Sequence, residues 1–113
     1  MQSSASQTAS GAAPIAGVPL ARVLIADKLE TSAVDALKAF GCEVLLKPDL
    51  PADGLGAALA ESGAEVLVVR SRKVNAQAID AATKLGLIVR AGAGYDTIDV
   101  AAASRRGVFV ANC

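Results

Sequence analysis

The chain has 113 residues, with 11 Lys plus Arg against 11 Asp plus Glu and no histidine. This length suits one domain with a true core, and a composition 53% hydrophobic but only 3% aromatic makes that core aliphatic. Without histidine there is no Ser-His or Cys-His nucleophile pair, no imidazole metal ligand and no imidazole acid–base group, while zero net charge argues against a nucleic-acid partner.

Residues 1–18 are mostly Ser, Ala, Gly and Gln and carry no charged side chain. Polar and small residues interrupt every apolar run and the first arginine is Arg22, so neither a secretory signal nor a transit peptide is expected. The segment is expected to be a disordered leader, with the domain proper spanning 19–113. No stretch approaches the length of a membrane span. Cys42 and Cys113 lack metal-ligand spacing, and reduced thiols in a cytoplasmic protein are the expectation.

From Arg22 onward, short apolar runs alternate with helical patterns. Strands are predicted at 22–26, 42–46, 65–69, 87–89 and 108–111. Runs of this length flanked by turn residues suit buried parallel strands, which need no strict in–out alternation. After the first strand, Val34, Leu37 and Phe40 form the apolar stripe of a helix, with Thr31 or Ser32 as its cap. Leu55, Ala58 and Leu59 mark a second helix. Ala78, Ile79 and Ala82 mark a third, capped by Asn75, and Asp99 caps a fourth. Gly41, Gly63, Gly86 and Gly107 each follow a helical stretch, where a left-handed residue is wanted. Right-handed crossovers then predict an α/β doubly wound parallel sheet of five strands, order 2-1-3-4-5, with helices on both faces.

In such sheets ligands bind beyond the carboxyl ends of the strands. Arg70 and Arg90 are expected at equivalent positions on neighbouring strands, followed by Ser71 and by Gly92-Ala93-Gly94. Two guanidiniums at one edge repel unless an anion lies between them. The glycines are expected to turn the backbone so that its N–H groups point outward as an anion nest. Ion pairs of Arg70 and Arg90 with Asp27, Asp96 or Asp99 are the competing reading. For Asp27 itself, helix capping or pairing with Lys28 or Arg22 is the default. Gly92-Ala93-Gly94 is not read as a dinucleotide fingerprint. Thr97 stands where the third glycine belongs, and the segment follows the fourth strand rather than the first.

Taken in register, Val69-Arg70-Ser71, Asp80-Ala81-Ala82-Thr83-Lys84-Leu85, Arg90-Ala91-Gly92-Ala93-Gly94-Tyr95-Asp96 and Ala102-Ala103-Ser104-Arg105-Arg106-Gly107-Val108-Phe109-Val110-Ala111-Asn112 resemble the amino-terminal part of D-isomer-specific 2-hydroxyacid dehydrogenases. The resemblance covers essentially 22–113 and is greatest to the branch that acts on 3-phosphoglycerate. It implies a flavodoxin-like substrate-binding domain of an NAD-dependent oxidoreductase that makes 3-phosphohydroxypyruvate for serine biosynthesis. It further implies that Arg70 and Ser71 contact the substrate, commonly its phosphate, and that Arg90 is a substrate-binding residue near them. Gly92, Ala93 and Gly94 would hold the substrate carboxylate, with Ala93 also beside the nicotinamide. Family members continue past the position of Asn112-Cys113 into the nucleotide-binding domain. The resemblance therefore implies that most of the NAD site and the catalytic residues lie outside this chain, which would be inactive alone, and that the parent is a homo-oligomer.

One departure stands out. The family pattern R-S-x-T-K-V is here Arg70-Ser71-Arg72-Lys73-Val74, one residue shorter and without the threonine. A stand-alone anion-binding or regulatory module on the same fold is the alternative. A phosphoacceptor receiver is excluded by Arg70 at the end of the third strand, and a flavin carrier by Ala26-Asp27-Lys28-Leu29-Glu30 after the first.

Overall fold

The computed structural model describes residues 21–92 and 96–112. The expected leader at 1–18 lies outside them, as do Ala93, Gly94, Tyr95 and Cys113. Nine elements alternate: β1 (Arg22–Ile25), α1 (Thr31–Ala39), β2 (Glu43–Leu46), α2 (Leu55–Ser62), β3 (Val66–Val69), α3 (Ala76–Ala81), β4 (Leu87–Arg90), α4 (Val100–Arg105) and β5 (Phe109–Asn112). All strand pairs are parallel and the sheet order is β2-β1-β3-β4-β5, as the alternation predicted.

The pleat splits the core into two layers, since successive strand residues point to opposite faces. Leu24, Leu67, Val69 and Ile88 join Leu55, Ala58 and Leu59 of α2, Ala78 and Ile79 of α3 and Ala102 and Ala103 of α4 in one cluster. Val23, Ile25 and Val68 meet Val34 of α1 in a smaller one. Fully burying a side chain such as Leu24 or Ile88 contributes about 1.5–3 kcal/mol, and both are shut off from solvent. The central strands β1 and β3 are the most buried. Glu43 and Leu46 on β2, and Phe109 and Ala111 on β5, are exposed at the two edges.

Three local expectations are corrected. Helix α1 starts from Glu30 in extended conformation with no side-chain cap bond, so Thr31 and Ser32 do not cap it; both lie inside the first turn. Phe40 is 70% exposed, because it follows the last turn of α1 and drops off the apolar stripe. Gly86 does not take a positive φ. Helix α3 stops at Ala82, whose N–H donates to the Ile79 carbonyl, four residues before the glycine. The Asn75 and Asp99 caps form as expected, accepting from the backbone N–H of Ala78 and Ala102 at 2.9 and 3.0 Å. Gly63 closes α2 in the left-handed conformation at φ 64°.

Candidate anion-binding site

The strand order reverses between β1 and β3, and the residues following these two strands meet there. Asp27 comes two residues after β1, and Arg70-Ser71-Arg72 follows β3 directly. The Oδ2 atom of Asp27 accepts the backbone N–H groups of Arg70, Ser71 and Arg72 at 2.8, 2.9 and 2.9 Å. Asp27 therefore neither caps a helix nor relies on Lys28 or Arg22. Arg22 instead pairs with Glu43 at 3.2 Å at the opposite end of the sheet. Burial pushes the Asp27 carboxyl upward, but the three backbone donors and the nearby Arg72 charge outweigh it and hold its pKa below the ordinary 3.8.

Arg72 is tied down by carbonyls alone. Nε donates to Ala26 O at 2.7 Å, Nη2 to Leu50 O at 2.7 Å and Nη1 to Pro51 O at 3.2 Å. One guanidinium thus joins the ends of β1 and β3 to the loop before α2. The rigid fork of donors suits this task in a way a lysine would not.

Arg70 and Ser71 are exposed, and among the described residues none hydrogen-bonds or ion-pairs with the Arg70 guanidinium. The competing ion-pair reading fails for Arg70, since Asp27 is bound to its backbone instead. Arg90 is not at the equivalent position on the next strand. The register pairs Arg90 with Val69 and, on its other side, with Asn112, so Arg70 lies one residue further along. The Arg90 Nε donates to Thr97 Oγ1 at 3.3 Å.

Of the nest expected at Gly92-Ala93-Gly94, Ala93 and Gly94 lie outside the described residues. At its start, Ala91 N–H donates to Val69 O at 2.8 Å and Gly92 N–H to Arg90 O at 3.1 Å. Gly92 has a φ of 154°, and a Cβ there would lie 3.1 Å from Arg90 Nη1. Arg70, Ser71, Arg90 and Gly92 nevertheless share one sheet edge, as expected. The loops carrying them are fastened together by a parallel bridge between Val74 and Ile98, with Val74 N–H to Thr97 O at 2.8 Å and Asp99 N–H to Val74 O at 2.9 Å.

A cleft of about 370 Å³ opens beside Asp27, lined by Leu50, Ala52, Ser71, Arg72 and Lys73. A second, of about 280 Å³, runs between Lys73 and Asp96 to Asp99. Sequence reasoning missed the parts played by Asp27 and Arg72. An acidic residue just past the first strand of a doubly wound sheet was the available signal, because this position faces the loop across the switch point.

A five-stranded parallel sheet of this order, with Arg70, Arg72 and Arg90 gathered at its carboxyl ends, defines a doubly wound α/β domain. The chain belongs to the D-isomer-specific 2-hydroxyacid dehydrogenases: the model of that family's catalytic domain matches residues 23–113. Curated relatives named D-3-phosphoglycerate dehydrogenase include one from Mycobacterium tuberculosis, 47% identical over 95 residues, covering 80% of this chain and 17% of that protein. The human one is 42% identical over 94 residues, covering 82% of this chain and 17% of the relative. The chain thus spans about a sixth of the length of the curated relatives it matches. Among solved structures, an NAD⁺-bound 3-phosphoglycerate dehydrogenase of Entamoeba histolytica superposes with a TM-score of 0.71 at 28% identity, over 81% of this chain and 32% of that one. The PH0520 protein of Pyrococcus horikoshii shares the fold with a TM-score of 0.75 at 23% identity, over 82% of this chain and 27% of that one.

Proposed function

We propose that this chain is the substrate-recognising part of an NAD-dependent D-2-hydroxyacid dehydrogenase that oxidises 3-phosphoglycerate to 3-phosphohydroxypyruvate in serine biosynthesis. The observation that carries this reading is the exposed pair Arg70 and Ser71 at the switch point. Their neighbours Asp27, through Oδ2, and Arg72 hold the loop. A phosphate meeting Arg70 would gain charge-assisted hydrogen bonds at about 1.5–3 kcal/mol each. Arg90, Gly92, Ala93 and Gly94 would meet the carboxylate end. Gly92 acts there by letting the Arg90 side chain lie across the backbone.

On this reading the phosphates of NAD are not held by the described residues. The turn after β1 is filled by Asp27, not by a glycine-rich phosphate loop. At the other glycine-containing loop the Gly92 amide is already bonded to Arg90. No step of hydride transfer is assigned to these residues, and the dinucleotide belongs to other parts of a longer polypeptide on this reading. The chain alone should then give no NADH from NAD and 3-phosphoglycerate. A cytoplasmic setting and a homo-oligomeric parent go with the same proposal.

The test is a ¹H–¹⁵N NMR titration of the 113-residue chain with 3-phosphoglycerate and, separately, glycerate. Saturable shifts at Arg70 and Ser71 that need the phosphate support the reading. Equal response to the two ligands, or none, overturns it.

A further inference from the structure

Three consecutive amides converging on one oxygen form a backbone nest of the kind that elsewhere holds a phosphate or carboxylate ligand. Here the amides of Arg70, Ser71 and Arg72 converge at 2.8–2.9 Å on Oδ2 of Asp27. We propose that the start of the loop between β3 and α3 is an anion-binding nest whose resident ligand is the side chain of Asp27. By filling it, Asp27 leaves anion recognition at this edge to the side chains of Arg70 and Ser71.

Several observations support a built nest rather than a chance contact. The three donors are successive, and the acceptor arrives from a strand 43 to 45 residues away. The Arg72 side chain donates to the carbonyls of Ala26, Leu50 and Pro51, which fixes the loop around the carboxylate. The Val74–Ile98 bridge anchors the loop's far end. The cleft beside Asp27 and Ser71 gives a small solute access to the carboxylate's position.

Two consequences follow for the proposed substrate site, on whose reading this part rests. A substrate anion meets no unpaired amide at 70–72 and must be held by the Arg70 guanidinium and the Ser71 hydroxyl. Asp27 is then a positioning residue. It sets where those two side chains start without touching the ligand.

The experiment uses the full chain, ¹⁵N-labelled, with sodium formate as the probe for the nest. In Asp27→Ala the vacated nest should bind formate, moving the Arg70, Ser71 and Arg72 amides together and saturably toward their wild-type positions. The wild-type amides should not make this concerted move, since Asp27 already fills the nest. Asp27→Asn keeps an oxygen acceptor in place and serves if the alanine variant does not fold. Its amides at 70–72 should exchange with solvent about tenfold faster than in wild type, since a neutral acceptor binds more weakly. Formate without effect on a folded Asp27→Ala, the same concerted movement of the three amides in wild type, or unchanged exchange in Asp27→Asn would each overturn the nest. Should 3-phosphoglycerate leave wild-type Arg70 unmoved while formate still fills the Asp27→Ala nest, the proposed substrate falls and the resident-ligand assignment stands.

Discussion

The guanidinium of Arg90 lies over the backbone of Gly92, with Nη1 3.1 Å from the point a Cβ at residue 92 would occupy. The same guanidinium holds Thr97 Oγ1 through Nε, so it spans the loop that Gly92 opens. At φ 154° a side chain would also be strained. Gly92→Ala should therefore lower stability by about 1–2 kcal/mol, read as a shifted urea midpoint. It should also move the Thr97 amide resonance as Arg90 is displaced. A wild-type midpoint would show that Arg90 yields without loss.

Arg70 and Arg72 are two residues apart and should behave in opposite ways. The Arg70 guanidinium has no bonded partner among the described residues, so Arg70→Ala should leave stability within about 0.5 kcal/mol while abolishing the response to 3-phosphoglycerate. Arg72 donates to three carbonyls, and removing it leaves them to water and the loops unjoined. Arg72→Ala should cost about 2–3 kcal/mol. Arg72→Lys should recover little of that, because an ammonium cannot reproduce the fork. Urea denaturation of the three variants decides the matter.

Asp27 makes stability depend on acid. Its folded-state pKa lies below the ordinary 3.8, because the nest and Arg72 outweigh the effect of burial. The folded state therefore favours the carboxylate, and the unfolded chain binds the proton more readily. The stability contributed is fully present above about pH 5 and is lost as pH falls through the folded-state pKa. Wild type should exceed Asp27→Asn in stability at pH 6, and the gap should narrow steadily below pH 4. A gap that is constant from pH 6 to pH 2 would mean the charge of Asp27 contributes nothing.

The helix starts offer a further contrast. Asn75→Ala removes a formed cap on α3 and should cost about 1 kcal/mol. Thr31→Ala and Ser32→Ala should do almost nothing, since neither caps α1. Glu30 has the extended backbone of a cap residue but makes no cap bond. Glu30→Asp should accordingly stabilise the protein by about 0.5–1 kcal/mol. Thermal melts of the four variants, ranked against wild type, test the assignment.

Five strands, their parallel order and the edge carrying Arg70, Ser71, Arg90 and Gly92 were legible in the residues, because each depends on local pattern. Short apolar runs alternate with helical stripes, and handedness then limits how consecutive units can be laid side by side. Phe40 and the start of α1 were misjudged for an equally local reason. A three-residue period does not say where a helix stops, and a Ser or Thr near its start does not say which residue is extended.

What Asp27 and Arg72 do was decided by the tertiary structure alone. Asp27 lies 43 to 45 residues from its three donors, so no local window of the chain holds both partners. Only the β1–β3 pairing brings the carboxylate to those amides. Only the path of the loop before α2 turns Arg72 from a surface cation into a tie. The one-residue stagger of Arg70 past Arg90 likewise comes from strand register, which is set by hydrogen bonding across the sheet. The missing histidine leaves this chain without imidazole chemistry. The fold then determined which of the remaining charged groups are engaged and which face solvent.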